Sequence, residues 1–151
     1  MANNLIILGN GGSYSASFCV GGVITDSLFS NAQDPSRTVW SVQFAEISGG
    51  FANSLPGGLS KVTQTGAPSG AFGGAGPGES FDYSIVMQSS TNSDVKFRIN
   101  NGTYVTIAAV ATELTTYSGT ITAGFVSLGF EITNNNAADH FKISSICITP
   151  V

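Results

Sequence analysis

Hydrophobic and polar positions alternate in short runs along this chain, most regularly from Phe81 onward. Phe81, Tyr83, Ile85 and Met87 are interleaved with Asp82, Ser84, Val86 and Gln88. Val95, Phe97 and Ile99 flank Lys96 and Arg98, and Val126, Leu128, Phe130 and Ile132 alternate with Ser127, Gly129, Glu131 and Thr133. A period of two sends successive side chains to opposite faces of a sheet, so each run has one core face and one wet face. The pattern predicts strands over Ser15–Ile24, Val39–Ile47, Gly58–Thr65, Phe81–Gln88, Val95–Ile99, Thr103–Ile107, Leu114–Thr122, Phe125–Thr133 and His140–Thr149. Turn residues separate them, notably Ser48-Gly49-Gly50, Pro56-Gly57-Gly58, Asn100-Asn101-Gly102 and Asn134-Asn135-Asn136. Asn and Gly tolerate the positive φ angles of a tight hairpin, which makes Asn100-Asn101-Gly102 the strongest of these signals. No stretch has a clear 3.6-residue period. The fold class that follows is all-β, an antiparallel β-sandwich with almost no helix.

A Gly/Pro-rich segment, residues 66–78, interrupts the pattern. Such density excludes helix and strand interior alike. It reads as a long loop inside one domain spanning 1–151, because neither half has enough strands to close two sheets. Phe72 stands alone in it, either as an adhesive tip or folded back onto the sandwich.

Composition narrows the function classes. Of 151 residues, 42% are hydrophobic and only 9% charged, so the polar surface must be built from hydroxyls and amides. The net charge is −4, with five basic residues spread along the chain, and nucleic-acid binding requires clustered Lys and Arg. No apolar run approaches the ~20 residues that span a bilayer. The start, Met1 to Gly9, lacks a basic and apolar leader. The expectation is a chain that is not exported by the general route, or one from which a leader has been removed. Cys19 and Cys147, near opposite ends, are either two buried apolar thiols or a bridge closing a long loop. Two Cys and one His, all far apart, make no zinc site.

The order of elements resembles a carbohydrate-binding module with the galactose-binding-like jelly-roll fold. The resemblance rests on Tyr83-Ser84-Ile85, Val95-Lys96-Phe97-Arg98-Ile99, Asn101-Gly102-Thr103-Tyr104, the run Leu114 to Thr122, Val126 to Ile132, and the closing Phe141-x-Ile143-x-x-Ile146-x-Ile148. The opening Asn4-Leu5-Ile6-Ile7 with Gly9-Asn10-Gly11-Gly12 is similar as well. It implies jelly-roll topology and an ability to bind glycans. Family members often hold a structural calcium through acids at two places where this chain has Gly12-Ser13 and Ser144-Ser145. Hydroxyls are poor substitutes for carboxylates there, so no calcium or other cofactor is expected.

Catalytic signatures are weak. His140 adjoins Asp139, but neighbours on a strand point to opposite faces and cannot form a relay. Glu46, Glu113 and Glu131 are scattered, and Gly9-Asn10-Gly11-Gly12 is followed by neither the helix nor the Lys of a phosphate cradle. The chain reads as a non-enzyme. Lys96 and Arg98 share one strand face and are expected to pair across strands, with Asp94 and Asp82 as partners. Trp40 is assigned to the core, in register with Val42 and Phe44. Tyr104 and Tyr117 are the candidates for stacking on a sugar ring, with Gln88 and Asn101 supplying hydrogen bonds.

Two functions fit. One is a structural or decoration protein of a phage or virus particle, self-associating (a trimer favoured), contacting other virion proteins and adhering to glycans. It would be made in the cytoplasm and released by lysis. The other is an extracellular carbohydrate-binding module or lectin.

Overall fold

The computed structural model describes Cys19, residues 22–24, Phe29, and residues 40–64, 78–124 and 129–151. Within them lie ten strands and no helix: β1 (Ser41–Gln43), β2 (Ala45–Ser48), β3 (Phe51–Ser54), β4 (Lys61–Gln64), β5 (Ser80–Ser89), β6 (Val95–Ile99), β7 (Val105–Ile107), β8 (Thr115–Thr122), β9 (Phe130–Asn134) and β10 (Phe141–Pro150). They form two five-stranded antiparallel sheets, ordered β1-β4-β9-β6-β7 and β2-β3-β10-β5-β8. This is the jelly-roll β-sandwich that the alternation and the order of elements predict.

The core is where the alternation says it should be. Ile85, Met87, Val95, Phe97, Ile99, Ile132, Ile143, Ile146 and Ile148 have no exposed surface. In β10 the spacing breaks: Ile143 and Ile146 are three apart, which in a regular strand places them on opposite faces. The register against β5 shifts between Ile143 and Ser145, and this bulge absorbs one residue so that both isoleucines face inward. A second aromatic layer joins Tyr83 to Phe97 (4.7 Å between ring centroids) and Phe97 to Phe130 (6.0 Å). Trp40 lies between Phe29 and Phe130, in the core as expected.

The run Val39–Ile47 becomes two strands rather than one. At Phe44 the backbone turns to φ 46° and the chain passes from the first sheet to the second. Val42 and Phe44, which share a register with Trp40, are therefore exposed and not core. The Phe44 ring is laid on Gly57 and Gly58, where an added Cβ would stand 3.1 Å and 2.5 Å from it, respectively. Strand β3 was not legible: Phe51-Ala52-Asn53-Ser54 is short and polar, and it is held by the Gly49-Gly50 turn that pairs it with β2.

Cys19 and Cys147 form a disulfide, so the bridge and not the pair of buried thiols is correct. The reason is local pairing. Val23 donates its N–H to the Ile148 carbonyl at 2.8 Å, bringing the chain near Cys19 alongside β10, with the two Cα atoms 5.3 Å apart. The sequence separation is 128 residues, for which the loop-entropy model gives about 5 kcal/mol. Of the expected strand Ser15–Ile24 only Cys19 and residues 22–24 are described, and they are not in a strand; residues 66–77 of the Gly/Pro-rich loop with Phe72, the Gly9–Gly12 run and Ser13 lie outside the described residues.

The turn after β6 has the predicted form. Asn100 and Asn101 have φ of 50° and 56°, and Gly102 donates to the Ile99 carbonyl at 2.9 Å, as in a type I′ turn. Gly124 donates to the same carbonyl at 3.0 Å. A Cβ on Gly124 would stand 2.3 Å from the Asn100 carbonyl oxygen and 2.4 Å from the Gly102 nitrogen. Backbone meets backbone here, with no flexible side chain to yield.

Two outcomes are expected. Reduction of the Cys19–Cys147 bridge, or its replacement by paired serines, lowers the thermal midpoint, and unchanged melting with and without reductant would refute this. Gly124→Ala costs about 2–3 kcal/mol of stability, as forced overpacking does; denaturant unfolding within 0.5 kcal/mol of the parent contradicts it.

Candidate functional site

The edges of the two sheets approach each other where β7 and β8 run, and the turns at their ends leave a groove of about 690 Å³. Asn101, Gly102, Thr103, Tyr104 and Val105 line one side, and Thr120, Ile121, Thr122, Ala123 and Gly124 the other, with Gly78 beside them. The contact between Gly102 and Gly124 sets how closely the walls approach. Asn101, Thr103, Thr120 and Thr122 are exposed, and Tyr104 is half-buried among them. Hydroxyls and an amide that both donate and accept, around one aromatic ring, are groups that meet a polyhydroxylated ring with apolar C–H faces.

Tyr104 is held from behind by charge. Its hydroxyl donates to Glu131 in a short hydrogen bond. The Arg98 guanidinium lies 4.5 Å and the Lys96 ammonium 5.0 Å from the centre of its ring. Glu131 is opposite Arg98 across β9 and β6, receiving Arg98 Nε at 3.2 Å on Oε1 and Lys61 Nζ at 3.3 Å on Oε2. Lys61 reaches it diagonally from β4, since Lys61 faces Thr133 and Thr63 faces Glu131. Cross-strand pairing of Arg98 is thus realised by Glu131 and not by the expected aspartates, and Lys96 lies against the Tyr104 ring instead. Asp94 instead accepts the Ala109 N–H at 2.9 Å, and Asp82 is on β5 in the other sheet.

These contacts move two titrations in opposite directions. Burial on its own pushes Glu131 up, but the Tyr104 hydrogen bond and the Lys61 and Arg98 charges outweigh it and hold the carboxyl below its ordinary value. Tyr104 is pushed up to about 12, first by burial and then by the hydrogen bond and charge of Glu131, against the opposing Arg98.

Of the four residues expected to bind sugar, the fold brings Asn101 and Tyr104 together in the groove. Tyr117 faces Ile85 on the inner side of β8, packs against the core, and its hydroxyl accepts the Ala111 N–H at 2.8 Å. Gln88 is on the outer face of β5 opposite Lys142 of β10, in a different part of the molecule. Asn100, adjacent to Asn101, is buried and its side-chain Oδ1 accepts the Gly129 N–H at 3.0 Å. The sequence reading missed Thr103, Thr120 and Thr122, and it missed Glu131 as the centre of the cation group. Glu131 was visible as an outward position in an alternating strand, but not its pairing with β6.

Elsewhere, Ser144 sits in the β10 bulge and donates to the Val86 carbonyl at 3.4 Å. Among the described residues no three His, Cys, Asp or Glu side chains gather as a metal site. Asp139 accepts from the Thr91 hydroxyl at 3.1 Å, and the His140 backbone N–H donates to Ser90 Oγ at 3.1 Å.

The fold is that of carbohydrate-binding modules. The second N-terminal cellulose-binding domain of the β-1,4-glucanase C of Cellulomonas fimi superposes with a TM-score of 0.58 at 18% identity, covering 85% of this chain and 94% of that one. The N-terminal cellulose-binding domain of the same glucanase gives 0.53 at 15% identity, over 85% and 96% of the two chains. The CBM1 of BiXyn10A in its apo form gives 0.54 at 10% identity, over 75% and 82%. No protein-family model and no curated protein sequence matches the chain.

A carboxyl whose folded pKa is depressed contributes stability above its unfolded pKa and loses it as pH falls through the folded value. Stability is therefore expected to fall as pH drops below the ordinary value of 4.5 for Glu131, and Glu131→Gln should flatten that acid limb. Parallel pH–stability curves for the parent and this variant would contradict it.

Proposed function

We propose that this chain is a non-catalytic carbohydrate-binding module and that the groove between β7 and β8 takes a segment of glycan. The observation that carries the reading is the meeting of Tyr104, Asn101 and the exposed threonines in one groove on a carbohydrate-binding-module fold. In this reading Tyr104 supplies the apolar face for a sugar ring. Asn101, Thr103, Thr120 and Thr122 exchange hydrogen bonds with its hydroxyls, and Glu131 with Arg98 fixes the tyrosine beforehand so that little ordering is needed on binding. The protein works outside the cell, where a Cys19–Cys147 bridge persists. Tyr104→Ala is expected to weaken retention on a bound polysaccharide roughly tenfold, the scale of one aromatic contact, with the fold intact. Equal retention of a folded Tyr104→Ala variant in affinity electrophoresis removes the groove as the site.

A second reading is the self-associating particle component, a trimer above all. What favours it is the exposed apolar group Val42, Phe44, Leu55 and Leu59 around the kink between β1 and β2. Light scattering separates the two. A closed oligomer that Phe44→Ser dissociates supports the particle role, and a monomer at every concentration removes it.

A further inference from the structure

Three of the five basic residues of this acidic chain, Lys61, Lys96 and Arg98, share the outer face of one sheet. One carboxylate, Glu131, stands among them, leaving an excess of two positive charges on a protein of net charge −4. Glu131 engages Lys61 and Arg98. Among the described residues no carboxylate pairs with Lys96, whose ammonium is held only against the Tyr104 ring at 5.0 Å. Arg98 meets Glu131 through Nε, and a guanidinium has further N–H donors in a fork suited to a second oxyanion. Tyr104 connects this group to the groove: both cations lie against its ring, and Tyr104 lines the groove while Lys96 and Arg98 stand just outside its lining. The opposite wall is uncharged. The residues Thr120 to Gly124 that line it carry no charged side chain; Glu79 meets Ala123 through its backbone carbonyl, and Asp82 faces Thr120 from β5 outside the groove lining.

We propose that the glycan taken by this groove is an acidic one, its carboxylate or sulfate reaching past Tyr104 to Lys96 and Arg98 on the outer face of the sheet. The inference rests on the groove being the glycan site, and it adds the class of sugar. A neutral chain would leave Lys96 with nothing to do beyond resting on the ring. An anion placed against Tyr104 gains two charge-assisted contacts, while its hydroxyls face the threonines across the groove. With both cations against Tyr104 and an uncharged opposite wall, the acidic substituent is met on the Tyr104 side.

The test is affinity electrophoresis of the full chain through gels holding polygalacturonate, dextran sulfate or a neutral β-1,4-glucan, at low and at high salt. Retention on an acidic polymer is expected, falling as salt rises because exposed charges are screened. Lys96→Gln should weaken it about fivefold, the scale of one exposed ionic contact. Lys142→Gln, whose ammonium lies over Phe51 at 4.1 Å on the other sheet, should change nothing. Thermal melts of both variants exclude unfolding, and the polygalacturonate and dextran sulfate gels tell a carboxylate from a sulfate ligand. Retention on the neutral glucan alone, lost in Tyr104→Ala but kept in Lys96→Gln, overturns the acidic assignment and leaves the groove standing. Acidic retention that Lys96→Gln and Lys142→Gln reduce equally overturns it too, as diffuse charge. No retention on any of the three, by parent protein that melts cooperatively, counts against both the groove and its ligand class.

Discussion

The carbonyl of Ile99 joins the two sheets at the end of the molecule that matters most. It accepts the N–H of Gly102 from its own hairpin turn and the N–H of Gly124 from the end of β8 in the opposite sheet. Two peptide segments approach so closely there that no side chain fits between them, and glycine at both positions is a steric requirement. The walls of the groove leave from this joint in opposite directions: Thr103 and Tyr104 lead into β7, and Thr122 and Thr120 lie back along β8. Register then does the rest. Once β6 is paired with β9, Arg98 must face Glu131, and Tyr104 is brought over both.

Low charge density makes that group of side chains stand out. A surface built of hydroxyls and amides has little long-range field, so a local excess of two cations is felt mainly at short range. The Glu131 carboxylate holds Lys61 and Arg98 in place and accepts from Tyr104, which orders the aromatic ring. Glu131 and Arg98 are half-buried, and ion pairs still open to water contribute modestly to stability, about 0–1 kcal/mol each. Stability comes instead from the isoleucine-rich interior and from the bridge that ties Cys19 to β10.

Much of the fold was legible because alternation reports burial directly. The runs containing Ile85, Phe97 and Ile132 became strands with those residues inside, and the Asn100-Asn101 turn took the positive φ that its residues allow. Local pattern failed where a tertiary event broke the period. The kink at Phe44 moves the chain between sheets and leaves Val42 and Phe44 exposed, β3 exists because β2 and β10 flank it, and the β10 bulge reconciles a spacing of three with one inner face. Tyr104 and Tyr117 looked equivalent as aromatic residues beside polar neighbours. Their different surroundings follow from strand register, which puts Tyr117 opposite Ile85 on the inside and leaves Tyr104 at the groove.

The sequence by itself determined the class of fold, the core faces and the tight turn after β6, since each depends on neighbours one to four residues apart. Tertiary structure alone decided that Cys19 meets Cys147, that Glu131 gathers Lys61, Arg98 and Tyr104, and that Gly102 touches Gly124. Those contacts join residues that are remote in the chain, and which remote segments meet is set by the order of strands in two sheets, a quantity that no local period encodes.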